Sequence, residues 1–448
     1  MSENRSANWT QRWLQAAGLA RLPARETLRS RRVAALGTLA VAVILGCSKA
    51  VTQSSPAPAG KASEVRALPA PRAAGVAVVD GRLVVRGTKT PFLARGFTSN
   101  GVLYPTQYAS RLCNRHFRNS VSARNLQEAQ AAMTAPPLPG FPYNASIYAM
   151  VHSWHANTVR FQVSQGALQY EYAHGLSAYT DMVRNAVAQA RAAGLIVILS
   201  MQAELYGCTP YRDGAMQKLP DGRTRAAWAQ LLDPTLEQDP GVLLEVFNEP
   251  SAVRACKVGR WPETNWKDWA TGCGHDPRQG MLTTGQWLRA KAPRNVLLFD
   301  GDSYAYTFQG FVVPSGMPSN SAYTVHPFNY VIRGNKTRSI RNWNARFGRF
   351  ERSGHALLVT AWNESFSCPK DPGQKITDYF IQKYLPAHSM GMVGYGWDAP
   401  RHNSGYLVNS YSYPGNTANY RVVDPNSSGC AHDGGKLLRR EFQAEAAQ

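Results

Sequence analysis

Eight short apolar runs, separated by segments with helical periodicity, follow one another from residue 76 onward. This alternation is typical of a parallel sheet whose strands are joined by covering helices. Eight strands close a (β/α)₈ barrel, so the pattern predicts a single TIM barrel of the α/β class. The predicted strands are Pro91–Thr98, Asn157–Val163, Leu195–Gln202, Val242–Asn248, Asn295–Asp300, Ala322–His326, Ala356–Thr360 and Met392–Trp397.

Turn and cap residues add local detail to this pattern. Val76–Val85 contains an Asp-Gly pair and is predicted to form a β-hairpin that plugs the base of the barrel. The clearest helix is Thr180–Ala193, with Thr180 as its N-cap and Gly194 at its end. Asn144 is predicted to cap another helix, which precedes the second barrel strand.

The first 75 residues have a different character. The apolar run Val33–Leu45 follows several arginines, is typical of a signal peptide and is short for a membrane span. It leads into Gly46-Cys47, which resembles a bacterial lipobox, where the cysteine is lipidated. We therefore predict a cleaved, lipidated or anchoring leader over residues 1–47, an Ala/Pro/Ser-rich tether over 48–75, and the barrel over 76–448. Export to the bacterial envelope, or secretion, is expected.

The net charge of +20 does not indicate a nucleic-acid partner. Much of the excess lies in the leader and tether, and the rest is spread without a basic run or an aromatic-plus-basic motif. The sequence has no zinc-helix, P-loop or dinucleotide-binding motif, so no metal or organic cofactor is expected. Membrane contact is expected only through the leader, and the barrel is predicted to be a monomer.

Six cysteines follow the tether. An even number of cysteines in an exported chain predicts up to three disulfides. The spacing of the cysteines does not by itself determine how they pair. Cys256 with Cys273 is the favoured local pair, and Cys368 with Cys430 is a second candidate. The other two cysteines are Cys113 and Cys208.

The fourth predicted strand runs directly into Asn248-Glu249-Pro250. A strand ending in Asn-Glu-Pro resembles the acid/base motif of the retaining glycosidases of the cellulase superfamily, and most closely glycoside hydrolase family five. Four further segments resemble other motifs of that family and follow the family's order. They are Arg95-Gly96, Asn157-Thr158-Val159-Arg160, Val325-His326 and Gly396-Trp397.

The resemblance implies cleavage of O-glycosidic bonds in a β-linked oligo- or polysaccharide by two carboxyl groups. It makes Glu249 the acid/base, Asn248 a ligand of the sugar 2-OH, and Arg160 the group that holds the nucleophile ionised. The full set of implied substrate-binding residues is Asn248, Arg160, His326, Trp397, Gln202 and Trp362.

The seventh strand departs from the family pattern. The family places its nucleophilic glutamate between Thr or Ser and Trp, where this chain has Ala361 between Thr360 and Trp362. A methyl group cannot attack an anomeric carbon. Phe328 also stands where the family often has tyrosine, and Gln202 where it often has histidine.

Three explanations of Ala361 remain open at this point. It is an engineered substitution that disables a hydrolase, or the chain is a natural non-hydrolytic relative that binds glycan. In the third explanation, Glu364 supplies the second carboxylate from farther into the loop, a spacing that suits inversion rather than retention.

Overall fold

The chain forms a closed barrel of eight parallel strands, in which each strand pairs with the next one along the chain and the last pairs with the first. This confirms the predicted TIM barrel, and each predicted strand overlaps an observed one. The structure is a computed structural model that describes residues 75–203, 207–208, 217–257, 264–274, 280–328, 331, 335–363, 375–397, 408–410, 421–422 and 434–446.

The strands, in chain order, are β1 (Val76–Val79), β2 (Arg82–Val85), β3 (Arg95–Ser99), β4 (Thr158–Ser164), β5 (Ile196–Gln202), β6 (Val242–Glu245), β7 (Leu297–Asp300), β8 (Ser321–Val325), β9 (Leu357–Trp362), β10 (Met392–Tyr395), β11 (Val408–Ser410) and β12 (Arg421–Val422). Strands β11 and β12 form a separate antiparallel pair.

Strands β1 and β2 form the predicted antiparallel hairpin. The Val76 amide donates to the Pro240 carbonyl at 2.9 Å, and the Val78 amide donates to Oδ1 of Asn320 at 2.8 Å. Pro240 and Asn320 immediately precede β6 and β8, so the hairpin lies at the N-terminal end of the barrel.

The α-helical segments are Ala109–Leu112, Arg115–Arg118, Val121–Met133, Ala145–Tyr148, Gln165–His174, Ala178–Ala192, Gly222–Leu231, Pro234–Gln238, Ala252–Cys256, Trp266–Thr271, Met281–Lys291, Lys336–Trp343, Arg349–Arg352, Lys375–Tyr379, Leu385–Ala387 and Gly434–Ala446. The short segment Asp302–Ala305 is a turn with left-handed backbone rather than a regular helix. Single 3₁₀ or π turns cover Thr106–Tyr108, Ala149–Ser153, Asn344–Gly348 and Phe380–Tyr384.

One of the two predicted helix caps is confirmed. The Asn144 side chain accepts a hydrogen bond from the Ile147 amide at 3.0 Å. The prediction for Thr180 is wrong, because the helix begins two residues earlier, after Ser177. The Thr180 hydroxyl instead donates to Glu171 at 2.6 Å, so it ties this helix to the preceding one.

The barrel interior changes from apolar to polar along the strands. Near the N-terminal ends it is filled by a cluster that includes Ile198, Leu243, Leu298 and Leu358. Side chains alternate between the two faces of a strand, so the next inward positions lie two residues further on. Those positions are Ser200, Glu245, Asp300 and Thr360, all fully buried. A layer of polar side chains therefore lies just below the C-terminal mouth, where barrel enzymes place their chemistry.

No helix in the described part of the chain is long and apolar enough to cross a membrane. The apolar run Val33–Leu45 and Cys47 lie outside the described residues.

Two disulfides are present among the described residues. Cys256–Cys273 confirms the favoured local pair, and Cys113–Cys208 joins the loop after β3 to the segment after β5. Cys368 and Cys430 lie outside the described residues. Disulfides persist in oxidising compartments, so both bonds fit an exported protein.

The two disulfides differ in the length of chain that they close, 95 residues for Cys113–Cys208 and 17 for Cys256–Cys273. By loop-closure entropy, removing the long-range bond lowers the free energy of unfolding by about 5 kcal/mol, and removing the short one by about 3 kcal/mol. Guanidinium unfolding of the two Cys→Ser double variants measures both losses. A larger loss for the Cys256–Cys273 variant would contradict the entropic account.

Candidate active site

Arg160, on β4, lies at the centre of the polar layer and is fully buried. Its Nε donates to Oε2 of Glu245 at 2.7 Å, and its Nη2 donates to the other carboxylate oxygen. Nη2 also donates to Ser200 at 2.8 Å and to Oδ1 of Asn248 at 2.6 Å. One guanidinium therefore connects β4, β5 and the end of β6 through a two-pronged ion pair.

Both members of this pair are held in their charged forms. Burial disfavours the charge on Arg160, but the adjacent Glu245 carboxylate raises the pKa of the guanidinium. Burial also opposes ionisation of Glu245, and Arg160 more than compensates, so the pKa of Glu245 is lowered. Sequence reasoning missed Glu245 as a site residue. The available signal was a carboxylate at an inward position of an otherwise apolar strand.

Glu249 follows β6 and is 7% exposed. Its Oε1 lies 2.9 Å from Nδ1 of His326. Burial raises the pKa of Glu249 to about 7, against the positive charges of Arg160 and Lys218 and with a contribution from the negative charge of Glu245. A carboxyl with this pKa can give up or take back a proton near neutral pH, as a general acid/base must.

His326 follows β8 and is uncharged near neutral pH. Burial, with help from the charge of Arg160, lowers its pKa to about 3. Its second ring nitrogen, Nε2, lies 3.0 Å from the hydroxyl of Thr360. Both nitrogens of the ring therefore have a partner, and a line of hydrogen bonds runs from Glu249 through His326 to β9.

The backbone is left-handed where two neighbouring strands end. Glu249 has φ +53°, and Ser303–Ala305 after β7 all have positive φ. Such conformations cost non-glycine residues about 1–2 kcal/mol each, so they persist only where the surroundings hold them. The Glu249 amide donates to Asp300 at 2.9 Å, and the Tyr304 amide donates to the Pro250 carbonyl at 2.8 Å. These bonds hold the backbone of Glu249 in place.

Asp300 lies at the end of β7, and burial raises its pKa well above the ordinary range, with a further rise from the charge of Glu245. Glu245, Asp300 and His326 offer potential metal-ligand atoms within 4.8 Å of one another. Both oxygens of Glu245 already accept bonds from Arg160, and Asp300 accepts from Thr324 and the Glu249 amide. This donor set is therefore committed to hydrogen bonds within the protein.

Ala361 lies in β9 beside a break in strand register. Val359 is opposite Met392 of β10, whereas Trp362 is opposite Gly394, so β9 contains one extra residue here. A bulge of this kind bends a strand and redirects its side chains. Ala361 is buried beside this break, at 2% exposure.

Ala361 is also close to the layer of Arg160. The Thr98 hydroxyl of β3 donates to the Thr360 carbonyl at 3.2 Å, and Thr98 is the register partner of Arg160. Ala361 is therefore the residue directly after Thr360, which lies at the level of Arg160 in the barrel. Glu364 lies outside the described residues.

Two buried donors at the centre of the layer have no hydrogen-bond partner among the described residues, Nη1 of Arg160 and Nδ2 of Asn248. Buried polar groups usually have partners, so each such group requires an explanation. In a trigonal guanidinium, Nη1 points directly away from the Nε–Nη2 edge, and here that edge binds Glu245. The resemblance assigns these two side chains to the nucleophile and to the sugar 2-OH.

The structure does not fit sugar stacking by Trp397. This residue has no exposed surface, its indole nitrogen donates to Ser146 at 2.8 Å, and its ring packs against Phe97 and Trp154. In this structure Trp397 has no surface on which a sugar could stack, because its side chain turns into the core beyond the strand end. Trp362 and Gln202 are likewise buried, at 2% and 3% exposure.

Tyr395, at the end of β10, is a mouth residue that sequence reasoning missed. Its hydroxyl accepts from Nδ2 of Asn100 at 3.1 Å, and its ring lies 5.9 Å from that of Phe328. The Phe328 ring is in turn 6.2 Å from His326. Tyr395 and Phe328 therefore line the side of the site that faces β9 and β10.

The raised pKa of Glu249 predicts a pH-dependent stability. Its pKa rises from an ordinary 4.5 to about 7 in the folded chain, so between these values the folded state binds more protons than the unfolded state. This contribution to stability is complete below pH 4.5 and is lost as the pH rises through 7, a change of about 3 kcal/mol. His326 acts in the opposite direction: its contribution is present above pH 6.5 and is lost as the pH falls toward 3.

The variant Glu249→Gln isolates the first contribution, because His326 is common to both proteins. Relative to the unmodified chain, the variant should gain about 3 kcal/mol between pH 4.5 and pH 8. Urea unfolding at both pH values measures this difference. Parallel changes in the two proteins would show that Glu249 titrates normally.

Comparison with known proteins agrees with this geometry. The family model described as Cellulase (glycosyl hydrolase family 5) matches residues 126–400, more than half of the chain. A β-glucanase from Saccharophagus degradans, crystallised with cellotetraose, is 16% identical, with a TM-score of 0.56 over 87% of this chain and 98% of its own. The catalytic domain of endoglucanase Cel5A from Thermobifida fusca is 16% identical, with a TM-score of 0.53 over 84% and 99%.

At these identities the structural matches show the fold, and no curated protein sequence matches the chain significantly. The family match covers the strand that ends in Asn-Glu-Pro and the bulged strand that carries Ala361. The chain therefore belongs to glycosyl hydrolase family 5, the cellulase family.

Proposed function

We propose that this chain binds a β-linked glucan at the C-terminal mouth of the barrel, with Glu249 as the acid/base of a cellulase-type site. The observation that carries the proposal is a carboxyl buried at the mouth, 2.9 Å from Nδ1 of His326, whose burial raises its pKa to about 7. Such a group is protonated in a large fraction of molecules near neutral pH, and it can then deliver the proton to a leaving glycosidic oxygen. Its neighbour His326 is uncharged and so leaves the proton with the acid.

The proposed sugar contacts use groups already present in the layer. Nδ2 of Asn248 is buried without a described partner, and we assign it to a sugar hydroxyl. We assign sugar stacking to Tyr395 at the end of β10, which keeps 8% of its surface exposed, rather than to Trp397, which has none exposed. Because a structural neighbour was crystallised with cellotetraose, cello-oligosaccharides are the first ligands to test.

We propose further that the chain holds glycan without completing retaining hydrolysis. That reaction needs a second carboxylate about 5–5.5 Å from the acid, to attack the anomeric carbon. Ala361 offers a methyl group instead. Among the described carboxyls near Glu249, Glu245 is bound on both oxygens by Arg160, and Asp300 has a strongly raised pKa. The proposal is the same whether Ala361 is native or engineered.

The test compares the unmodified chain with Ala361→Glu. Calorimetry should show that the unmodified chain binds cellotetraose, and chromatography should show no products. The substitution restores an attacking carboxylate, so hydrolysis should increase on the order of 1,000-fold or more. A panel of β-glucans and β-mannans then defines the substrate class.

Matched controls separate the possible outcomes. Ala361→Gln has the size of glutamate without its charge and should remain inactive, and adding Glu249→Gln to Ala361→Glu should abolish the restored activity. Hydrolysis by the unmodified chain that is lost in Glu364→Gln would contradict the proposal and establish an inverting pair. An inactive Ala361→Glu variant without glucan binding would overturn the assignment to β-glucan.

We also propose that the barrel acts outside the cytoplasm, held at the envelope by a lipid on Cys47. The disulfides Cys113–Cys208 and Cys256–Cys273 support export. Expression with radiolabelled palmitate tests the anchor: label should enter the unmodified chain and be absent from Cys47→Ala. Equal labelling of both proteins, or of neither, would refute lipidation at this residue.

A further inference from the structure

Thr360 has no role in the function proposed above, yet its hydroxyl is one end of the hydrogen-bond line through His326. The side chain is fully buried, and its Oγ1 lies 3.0 Å from Nε2 of the imidazole. Nδ1 lies 2.9 Å from Oε1 of Glu249. An uncharged imidazole carries one proton on one of these two nitrogens, so the contacts at its two ends depend on each other.

Two arrangements of protons satisfy every group in this line. When Glu249 is ionised, the Thr360 hydroxyl donates to Nε2, and Nδ1–H of His326 donates to the carboxylate. When Glu249 is protonated, its O–H donates to Nδ1, and Nε2–H donates to the Thr360 oxygen. A hydroxyl serves in both arrangements because it can both donate and accept.

We propose that Thr360 is a positioning residue for the acid: its hydroxyl exchanges donor and acceptor roles as Glu249 gains or loses its proton, and His326 changes tautomer between them. The inference rests on the proposed role of Glu249, and it adds the group that stabilises the protonated form of this acid. Without an acceptor at position 360, the Nε2–H required by the protonated acid is buried and unpaired. The ionised form leaves only an unpaired acceptor, which is less unfavourable.

The other charged groups around the line do not replace the hydroxyl. Oδ2 of Asp300 is 3.8 Å from Nε2, which is too long for a hydrogen bond. Arg160 and Glu245 pair with each other below the ring, and Lys218 acts on Glu249 through its charge. These groups shift the proton affinity of the acid by a constant amount, and they stay in place when the hydroxyl alone is removed.

The experiment titrates the full-length chain without requiring turnover. Nitrogen-15 NMR of the histidines reports the tautomer of His326, and carbon-13 NMR of labelled glutamate, assigned through Glu249→Gln, reports the acid. In the unmodified chain, His326 should carry its proton on Nδ1 above the pKa of Glu249 and on Nε2 below it. Thr360→Val has a similar shape without the hydroxyl and should lower that pKa by about one unit.

Thr360→Ser keeps the hydroxyl and should restore the unmodified titration. Thr158→Val is the matched control, because the buried Thr158 hydroxyl bonds Asn157 at the start of β4, away from the site. If Thr360→Val does not fold, Thr360→Cys, a weaker hydrogen-bond partner, should shift the pKa in the same direction. An unchanged or raised pKa in the folded variant, or a His326 tautomer that does not change with pH, overturns the proposal.

Kinetics separate this inference from the proposed function. In the Ala361→Glu background, adding Thr360→Val should shift the alkaline limb of the pH profile of kcat/KM to lower pH by about one unit, because that limb reports the pKa of the acid. If Ala361→Glu is inactive, the proposed function fails, and the titration of the unmodified chain still decides the role of Thr360.

Discussion

The buried ion pair between Arg160 and Glu245 is the interaction on which the rest of the site depends. Removing two charges from water is costly, and the cost is offset only where geometry and further hydrogen bonds are good. Here the pairing uses both carboxylate oxygens, and Ser200 and Asn248 accept further bonds from the same guanidinium. The pair therefore fixes the side chain of Asn248, the residue next to Glu249, and ties the second barrel strand to the fourth.

Burial and the charges of this pair together set the protonation of the remaining groups. Burial is the largest cause of the raised pKa values of Asp300 and Glu249; the charge of Glu245 adds to both shifts, and that of Arg160 opposes both. Burial is also the main reason that the pKa of His326 is lowered, and the charge of Arg160 adds to that shift. The layer thus combines one neutral ion pair with two carboxyls of raised pKa and an uncharged imidazole. One of these carboxyls, Glu249, titrates close to neutral pH.

Most of the fold could be predicted from sequence, because parallel strands buried on both faces produce apolar runs that mark their positions. The Asn-Glu-Pro motif likewise drew attention to Glu249, a carboxyl that the structure buries after β6. Contacts between distant segments could not be predicted: Glu245 meets Arg160 across 85 residues, and Cys113 meets Cys208 across 95. Trp397 shows another limit, since a motif gives a position along the chain but not the direction of a side chain beyond the strand end. Thr180 illustrates the difficulty of choosing between two polar residues near a helix start.

Ala361 removes a charge from this layer while the surrounding framework stays in place. Its neighbour Thr360 still contacts His326 and Thr98, and Arg160 still holds Glu245. A carboxylate introduced at position 361 would add a second negative charge near Glu249, and like charges raise the pKa of a neighbouring carboxyl. The value of about 7 therefore describes Glu249 without a carboxylate at position 361. With such a carboxylate, Glu249 would keep its proton to a higher pH, so under the proposed function the residue at position 361 affects the proton donor as well as the nucleophile.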